Sequence, residues 1–587
     1  MYDNVVESAA KSTLNTHTDN VGLDETEYRT VRSVIGTKQI QSKMIMELLS
    51  IDPHCAEVVV DSWKTMIKTT AQLDKDRMFD DLEEYVDYRI IDTGAPFVDT
   101  LMRFGMGIIV TSEEEESLAS IVKPCYAALG LANDYFSFDV EWEELQADDS
   151  GKRTMINLVW LFMQWYKIDI AEAKERVREV TNQYEREYQQ QVKDFMATEG
   201  RGNAKIETYL KALGYQIPGN VVWSLRCAQY HPELCEDASK RLSGDHRISR
   251  GKLFPYKEKE ESKFTGLSRS PSKSPSDSEA SDDSRSLILS ASCPAEYISA
   301  LPSKGVRESF IDALNVWLML PDRLVNQTKQ IAQTLHNASL IRLDDIEDSS
   351  PLRRGRPATH TVFGVGQTIN SANFLLLQAA DQVRQLDDSQ CLDTFFEEIR
   401  RLFIGQSFDL YWTQEGECPS EEQYLAMVGH KTGGLFRLTV RLMIQKGQSQ
   451  DMSVQSSFEK LSDLLGEYFQ IRDDYKNLTE EYTGQKGFCE DLDEGKFSFP
   501  LIHALTSKPN NFELRGILRQ ARLTNSLDVS LKQCILDHLQ QSGSMDYTKK
   551  TLSILMGRID DSIDALEKHT GCPNWIMRLL VSRLEVR

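Results

Sequence analysis

The segment from Leu335 to Asp348 reads LHNASLIRLDDIED. Its residues Asp344 and Asp348 are four positions apart, so a helix places both carboxylates on one face. Carboxylate pairs of this kind can hold a divalent cation. A second acidic pair, Asp473-Asp474, begins 129 residues after Asp344 in the segment FQIRDDYKNL. The two segments together predict two helices whose acidic faces oppose each other.

The rest of the chain has the same helical pattern. Apolar residues recur at intervals of three and four, and glycine and proline are sparse within long segments such as 182–198 and 369–386. Alternating apolar and polar runs bounded by turn residues, which predict strands, are hard to find. We see no short repeat of fixed period. The sequence therefore predicts an all-α protein.

The chain is too long for a single hydrophobic core. It has 587 residues, whereas one core stops growing at roughly 250–300 residues. Residues 243–292 are rich in serine, proline and charged residues, as in SRSPSKSPSDSE from Ser268 to Glu279. Such a composition favours a flexible tether, with a phosphorylated regulatory segment as the alternative. We expect domains over residues 1–242 and 293–587, joined by this linker.

The overall composition excludes several classes of protein. The chain carries 67 Lys and Arg residues against 90 Asp and Glu residues, a formal charge of −23 that disfavours binding to nucleic acids and anionic membranes. No stretch approaches the roughly 18 apolar residues of a membrane span, and the start MYDNVVES does not resemble a signal peptide. The ten cysteines are scattered without a Cys-x-x-Cys pair, which indicates reduced thiols. These features predict a cytoplasmic protein without nucleic-acid partners or a membrane span.

Basic residues accompany the two acidic motifs. Mg²⁺ prefers oxygen ligands and is commonly shared between carboxylates and substrate phosphates. A single such motif more often marks a solvated helix face, but two motifs flanked by cations favour a site for two diphosphates. The sequence therefore predicts Mg²⁺ as the cofactor. The candidate cations are Lys304, Arg307, His336, Arg353, Arg354, Lys431, Lys486 and Lys496.

Residues 293–587 resemble the trans-type isoprenyl diphosphate synthases, close to geranylgeranyl diphosphate synthase. The matching strings are PSKGVR at 302–307, HNAS at 336–339, DDIEDSSPLRRG at 344–355, GHKTG at 429–433, FQIRDDYKNL at 469–478 and EDLDEGKFSFP at 490–500. The resemblance implies a helical isoprenoid-synthase domain that extends an allylic diphosphate by five carbons. It also implies that isoprenoid diphosphates are the small-molecule partners and that this domain forms a homo-oligomer.

This resemblance also assigns roles to individual residues. It implies that Mg²⁺ is held by Asp344, Asp348, Asp473 and Asp474. It implies that isopentenyl diphosphate is held by Lys304, Arg307, His336 and Arg354. It implies that the allylic diphosphate is held by Arg353, Lys431, Thr432, Gln470, Asn477, Lys486 and Lys496.

The chain departs from this family at one place. His336 precedes Asp344 by eight residues, where the family has seven. On a helix the extra residue rotates one side chain by about 100° relative to the other. Either a local bulge absorbs the rotation, or the isopentenyl pocket is altered. The small residue Ser339, five positions before Asp344, leaves room in the product tunnel for a twenty-carbon chain, with twenty-five carbons as the alternative.

A second oxygen-rich helix face lies in the N-terminal half. In the segment LANDYFSFDVE at 131–141, the residues Asn133, Ser137 and Glu141 lie on one face of a helix at intervals of four. A solvated face often has this pattern by chance. The preceding segment is apolar and rich in alanine and leucine, which favours a face directed into a cavity and a hard-cation site.

This half resembles the class I terpene cyclases. Their metal-binding triad has the form Asn-Asp-x-x-Ser-x-x-x-Glu, which implies metal binding by Asn133, Ser137 and Glu141. The segments YRIIDTG at 88–94 and WSLRCAQY at 223–230 imply diphosphate binding by Arg89, Asp92 and Tyr230. The whole chain resembles the fungal chimeric di- and sesterterpene synthases. That resemblance implies cyclisation of geranylgeranyl diphosphate to a diterpene of fusicoccane type.

Two departures from the cyclase pattern leave alternatives open. The family's first aspartate-rich motif, counted back from Asn133, would fall at or before Met1, and Asp80-Asp81-Leu82-Glu83-Glu84 only imitates it. Gln229 stands where the family has an arginine, which removes a bidentate cation. The alternatives are a prenyltransferase with an inactive cyclase-like scaffold, a sesterterpene synthase, and a helical subunit without catalysis.

Overall fold

The computed structural model describes residues 25–74, 77–147, 155–227, 230, 293–301, 305–339, 345–347, 350, 352–353, 355–447, 452–479 and 489–586, with only the backbone at 25–34, 339 and 452–453. These residues form two compact units. The N-terminal unit is 47–230, and the C-terminal unit combines 25–46 with 293–586. The predicted linker lies outside the described residues, and the predicted domain limits stay a prediction.

The first part of the chain is built from helices that begin at identifiable caps. Asp52 accepts hydrogen bonds from the backbone amides of His54 and Cys55, and Pro53 takes the first helical position of α2. Two buried apolar clusters hold the N-terminal unit together, one containing Tyr85 and the other Tyr188. The helices are α1 (Glu25–Ile51), α2 (Pro53–Thr70), α3 (Leu82–Asp92), α4 (Ala95–Met106), α5 (Ser112–Ala147), α6 (Leu158–Tyr166), α7 (Ile170–Ala197) and α8 (Ala204–Ser224).

The C-terminal unit encloses a larger apolar core. One continuous buried cluster extends from Phe310 to Leu584 along the sequence. The described helices of this part are α9 (Val306–Leu318), α10 (Asp322–Ser339), α11 (Thr359–Phe363), α12 (Val365–Arg384), α13 (Ser389–Glu415), α14 (Glu421–Lys431), α15 (Gly433–Lys446), α16 (Met452–Asn477), α17 (Glu490–Asp493), α18 (Phe499–Ser507), α19 (Phe512–Thr524), α20 (Val529–Gln541), α21 (Ser544–Thr570) and α22 (Trp575–Leu584). Two short antiparallel strands, β1 (Leu352–Arg353) and β2 (Arg356–Pro357), form a hairpin.

Residues 25–46 of α1 belong to the C-terminal unit through polar contacts. The Gln39 amide donates to the Pro573 carbonyl at 2.7 Å and accepts from the backbone amides of Trp575 at 2.7 Å and Ile576 at 3.2 Å. Amides in the first turn of a helix have no partner within the helix. Gln39 therefore supplies acceptors to the start of α22.

The predicted all-α class is confirmed, because helices make up nearly all of the described secondary structure. Across the described residues, we find no helix with both the length and the apolar character needed to cross a bilayer. One local prediction differs. Residues 345–347 form a turn, in which the Ser350 amide donates to the Asp345 carbonyl at 3.0 Å. This five-residue spacing is wider than the four-residue spacing of an α-helix, so the helix does not continue through 345–347.

Candidate active sites

Two lysines predicted to hold the allylic diphosphate meet at one buried carboxylate. The ammonium of Lys431, at the end of α14, lies 2.6 Å from Asp409 Oδ2, and that of Lys496 lies 3.7 Å from the same oxygen. Burial alone would raise the pKa of Asp409, but the two lysines hold it below its usual value. Asp409 therefore stays ionised and fixes both ammonium groups beside each other.

A hydrogen-bonded chain links three of the predicted polar residues. The Thr432 hydroxyl donates to Gln470 Oε1 at 2.7 Å, and Gln470 Nε2 donates to Asp474 Oδ1 at 3.0 Å. Asn477, one turn further along α16, is buried and accepts from the backbone amide of Asp491 at 3.4 Å. The structure thus brings Thr432, Gln470 and Asn477 to the helix that carries the second acidic pair.

The two aspartates of that pair have different surroundings. Asp473 is half-buried on α16. Asp474 is buried and accepts from the Tyr424 hydroxyl at 2.6 Å and from the Phe499 backbone amide at 2.7 Å. Burial raises the pKa of Asp474 to about 7. Its oxygens thus already accept three hydrogen bonds, counting that of Gln470, while metal binding by either aspartate stays a prediction.

Arg353, on β1, is held by an acid that the motif analysis passed over. Its guanidinium donates from Nε to Asp345 Oδ1 at 2.7 Å and from Nη2 to the same oxygen, and both side chains are buried. Asp345 is the second residue of the first acidic motif. The eight-residue spacing between the acid and the arginine is visible in the sequence, but the contact between them appears only in three dimensions.

Two of the predicted isopentenyl diphosphate residues line a common cavity. Arg307, at the start of α9, and His336, on α10, border a small cavity of about 30 Å³ together with Lys329, Gln333 and Asn337. A cavity of this size holds about one water molecule. The cations predicted for one diphosphate are therefore neighbours, although they lie 29 residues apart in sequence.

Several predicted residues lie outside the described part of the structure and stay predictions. They are Asp344, Asp348, Lys304, Arg354 and Lys486, the side chain of Ser339, and also Gln229.

Two glycines pack against the backbone of the GHKTG segment at 429–433. A Cβ on Gly405, in α13, would stand 2.6 Å from the Lys431 backbone nitrogen and 2.8 Å from His430 Cβ. A Cβ on Gly466, in α16, would stand 2.6 Å from Gly433 Cα. Real Cβ contacts do not come this close. The absence of a side chain at both positions allows the segment that carries Lys431 to lie between α13 and α16.

In the N-terminal unit, Arg89 lies at the centre of a polar cluster. Its guanidinium pairs with Asp92, contacts Asp134 Oδ1 at 2.7 Å and donates to Asn133 Oδ1 at 2.9 Å. Burial opposes its charge, but Asp134 keeps the pKa of Arg89 above its usual value. The Asn133 amide in turn donates to the Tyr230 hydroxyl at 2.5 Å. The structure therefore brings Arg89, Asp92, Asn133 and Tyr230 together, while their role in binding diphosphate stays a prediction.

Asn157 holds the other two members of the predicted triad. This buried residue caps α6 by accepting from the Val159 amide at 2.9 Å. Its own amide donates to Glu141 Oε2 at 3.0 Å and lies 3.5 Å from the Ser137 hydroxyl. Sequence reasoning did not identify Asn157, because a capping asparagine is ordinary and its contacts to α5 appear only in three dimensions.

An open cavity of about 730 Å³ lies beside the Arg89 cluster. Arg89, Asp92 and Asn133 form its polar side, and the remaining walls are largely apolar, with Leu101 and Trp223 among them. Pockets for small molecules commonly measure roughly 300–1,000 Å³ and combine apolar walls with a few polar groups. The cavity thus suits an apolar chain with an anionic head.

The acidic segment at 80–84 is occupied with structural contacts. Asp81 caps α3 by accepting from the Glu84 backbone amide at 2.9 Å. The Glu84 carboxylate pairs with Arg77 and accepts from the Asp80 backbone amide at 3.4 Å. These contacts agree with our interpretation that the segment only imitates a metal-binding motif.

Asp134 has the same surroundings as Asp474 in the other unit. It is buried and accepts from the Tyr85 hydroxyl at 2.6 Å and from the Leu158 backbone amide at 3.2 Å, and burial raises its pKa to about 6. The tyrosine precedes the aspartate by 49 residues here and by 50 in the C-terminal unit. The backbone donor follows by 24 and 25 residues. We call each arrangement a buried anchor, and each begins one residue after a predicted metal ligand.

The predicted metal ligands fit a hard cation. Asn133, Ser137 and Glu141 offer only oxygen, and the Asn133 and Glu141 side chains are already oriented by hydrogen bonds from Arg89 and Asn157. Mg²⁺ favours carboxylate, carbonyl and water oxygens, whereas thiophilic metals favour sulfur and imidazole. The donor set therefore suits a hard divalent cation, and metal binding by these residues stays a prediction.

Two family models match the chain. The polyprenyl synthetase model matches residues 290–535, and the model for terpene synthase family 2, C-terminal metal binding, matches residues 22–187. The first match contains the lysine pair and the acidic pair of α16. The second contains Arg89, the oxygen-bearing triad and Asn157.

Curated relatives match across most of the chain. Variediene synthase of Aspergillus brasiliensis is 64% identical over 100% of this chain and 86% of its own length. Variediene synthase of Emericella variicolor is 61% identical over the same shares. The bifunctional sesterterpene synthase of Talaromyces wortmannii is 40% identical over 94% of this chain and 76% of its own length.

Proposed function

Because the chain belongs to the fungal chimeric terpene synthases, in which a class I terpene cyclase domain is fused to a prenyltransferase, we propose that it carries out two successive Mg²⁺-dependent reactions. The C-terminal unit condenses isopentenyl diphosphate with allylic diphosphates to geranylgeranyl diphosphate. The N-terminal unit then cyclises this product to a diterpene. The observation that carries the proposal is the meeting of Lys431 and Lys496 at Asp409.

In the elongation reaction, the protein's cations stabilise the charge that develops on the departing diphosphate. Mg²⁺ bound by Asp344, Asp348 and Asp473 would neutralise part of the same charge. The double bond of isopentenyl diphosphate attacks the allylic carbon, and loss of a proton completes the five-carbon extension. Arg307 and His336, which lie beside each other at α9 and α10, would hold the diphosphate of isopentenyl diphosphate.

In the cyclisation reaction, Arg89 would hold the diphosphate head and the apolar walls of the 730 Å³ cavity would fold the chain. Asn133, Ser137 and Glu141 would hold Mg²⁺. For the product, two relatives of 64% and 61% identity are both variediene synthases, which favours a variediene skeleton over the fusicoccane skeleton that the family resemblance implied. The sesterterpene synthase at 40% identity keeps a twenty-five-carbon product as the alternative.

A second candidate is a prenyltransferase whose other unit serves as a scaffold. The observation that favours it is the structural use of the acids at 80–84, which cap α3 and pair with Arg77. Within the described residues, the metal ligands of the N-terminal cavity therefore come from one helix face. The two candidates differ in a single outcome, the fate of geranylgeranyl diphosphate.

The test supplies the full-length chain with Mg²⁺, isopentenyl diphosphate and dimethylallyl diphosphate, and analyses organic extracts before and after phosphatase treatment. A hydrocarbon in the untreated extract that disappears in Asn133→Ala supports the bifunctional proposal. A twenty-carbon alcohol that appears only after phosphatase supports the prenyltransferase alone. Absence of both products, with wild-type protein folded by circular dichroism, contradicts elongation.

We also propose that the C-terminal unit mediates a homo-oligomer, as in the family it resembles. Light scattering of the full-length chain at several concentrations measures its mass against the monomer's 67.0 kDa. A monomer at every concentration contradicts the proposal.

A further inference from the structure

Three potential metal ligands converge in the C-terminal unit, on the helices α19 and α20. Glu513 lies in the first turn of α19, and Cys534 and His538 lie four residues apart on α20, so a helix presents both on one side. Their donor atoms all lie within 4.8 Å of one another. Glu513 is exposed, whereas the other two side chains are half-buried.

The distances match those of a tetrahedral zinc site. Cys534 Sγ lies 3.5 Å from Glu513 Oε1, and His538 Nε2 lies 3.3 Å from Glu513 Oε2. Zinc bonds of about 2.3 Å to sulfur and about 2.0–2.2 Å to nitrogen and oxygen, set at tetrahedral angles, separate the ligand atoms by roughly 3.4–3.5 Å. Because the two contacts use different oxygens of Glu513, the carboxylate would bind the shared ion with one oxygen after a small turn, or with both.

The imidazole of His538 provides an independent indication. Its Nε2 atom is buried and has no hydrogen-bond partner, since the 3.3 Å contact with Glu513 has poor geometry. A buried polar atom without a partner destabilises the fold. The other ring nitrogen, Nδ1, lies 3.4 Å from the Asn511 amide nitrogen. Asn511 also caps α19, because its side-chain oxygen accepts from the Leu514 backbone amide at 3.0 Å.

We propose that Glu513, Cys534 and His538 bind one Zn²⁺ ion, with water as the fourth ligand. A thiol and an imidazole select zinc over Mg²⁺, which takes oxygen ligands. This site is therefore chemically separate from the oxygen-only sites that serve the diphosphates. It ties α19 to α20 by a metal bond.

The zinc site would stiffen one wall of the C-terminal unit. Lys532, on the same helix as Cys534, pairs with Asp493 of α17 at 2.6 Å, and Asp493 also accepts from the Leu527 amide at 2.8 Å. The helix α17 ends three residues before Lys496. Zinc binding should thus stabilise this unit without being required for the diphosphate chemistry.

Cobalt provides a spectroscopic test on the full-length chain. Metal-free protein is titrated with Co²⁺ in the presence of excess Mg²⁺, which occupies the oxygen-only sites. We expect one equivalent of Co²⁺ to produce a thiolate-to-cobalt charge-transfer band in the near ultraviolet and visible bands of tetrahedral coordination. Added Zn²⁺ should abolish both. The thiol of Cys534 has a raised pKa, mainly through burial, so binding should also release a proton.

Matched variants identify the ligands. Cys534→Ser should lose the charge-transfer band, and His538→Gln should weaken binding more than about 10-fold, as loss of even an outer-shell partner does. Cys418→Ser removes another half-buried thiol of the same unit and should leave the band unchanged. Zn²⁺ should raise the melting midpoint of the wild type and of Cys418→Ser but not of Cys534→Ser. A band that is missing in the wild type, or that persists in Cys534→Ser, overturns the proposal.

Discussion

Replacing Gly405 by alanine should damage elongation through the backbone of Lys431. The new Cβ would stand 2.6 Å from the Lys431 backbone nitrogen and 2.8 Å from His430 Cβ, whereas unstrained contacts lie near 3.5–4.0 Å. The overlap of roughly 1 Å cannot be relieved by a side-chain rotation, since one of the clashing atoms is backbone. Overpacking of this kind costs about 1–3 kcal/mol.

Gly557→Ala is the matched control for this substitution. Gly557 lies inside the long helix α21 and would place its Cβ in open space. Both variants gain about 1 kcal/mol of helix propensity, so the difference between them isolates the clash. An unfolding entropy of about 2.1 cal/mol/K per residue over the C-terminal unit converts 1–3 kcal/mol into a difference of about 2–5 °C in melting midpoint.

The activity assay measures kcat/KM for the allylic diphosphate. A displacement of about 1 Å at a binding residue can cost about 100-fold, so we expect a fall of that order in Gly405→Ala and wild-type kinetics in Gly557→Ala. Gly466→Ala, which presses on the same segment from α16, should behave like Gly405→Ala. The reasoning is refuted if Gly405→Ala has the same melting midpoint as Gly557→Ala and catalyses elongation at the wild-type rate.

Three further substitutions test other parts of the structure. Asp473→Ala should lower elongation about 100-fold or more through lost stabilisation of the leaving group, with an unchanged circular dichroism spectrum; more than a tenth of the activity remaining would contradict metal binding there. Ser339→Phe should shorten the product to fifteen carbons in extracts analysed after phosphatase, and an unchanged chain length at normal rate would show that position 339 does not line the tunnel. Asp99 is buried beside Arg103, and burial raises its pKa despite that arginine and the hydroxyls of Tyr126 and Tyr209. The stabilisation from protonated Asp99 is therefore present at low pH and is lost as the pH rises above about 4. The melting midpoint of the N-terminal unit should thus depend less on pH in Asp99→Asn than in the wild type. Equal changes of melting midpoint with pH in the two proteins would contradict this.

Helix periodicity and local motifs predicted much of the architecture. The intervals of three and four residues predicted helices, and the described structure is almost entirely helical. The structure also joins residues from separate motifs, since Thr432 bonds Gln470 and Arg89 bonds Asn133. The helical class could be predicted because apolar spacing reports the buried face of each helix, whereas the metal and diphosphate roles of these residues stay predictions.

The supporting residues could not be predicted in the same way. Asp409 belongs to no motif, yet it holds two lysines that lie 22 and 87 residues away in sequence. In the sequence, Asn157 has the position of an ordinary helix cap, but its side chain also donates a hydrogen bond to Glu141 on another helix. Such roles depend on which helices pack together, and periodicity determines only which face of each helix is buried. No local sequence motif marks a single buried acid whose basic partners are distant in the sequence.

The turn at 345–347 shows a different limit. The spacing of Asp344 and Asp348 predicts one helical face, and the extra residue after His336 predicts a rotation of about 100°. The structure ends α10 at Ser339 and forms a turn at Asp345, whose carboxylate holds Arg353. Asp344 and Asp348 lie outside the described residues, so the choice between a rotated side chain and a local bulge stays a prediction. What the structure adds is the contact between Asp345 and Arg353, which residue spacing along a helix does not predict.

The buried anchors explain why the second residue of each motif is an aspartate. Asp134 and Asp474 each join three chain segments: their own helix, a tyrosine 49 or 50 residues earlier, and the first amide of the helix 24 or 25 residues later. The sequence separations from the aspartate to the tyrosine and to the backbone amide nearly agree between the two units. This agreement indicates that the same fold occurs twice within the chain. The two anchors lie about 340 residues apart in the sequence. A repeat of this length, in which we recognise only the anchors, cannot be detected from short sequence motifs. Because an ionisable group this deeply buried is stable only with its donors in place, each anchor fixes the position of the preceding residue, Asn133 or Asp473, along its helix.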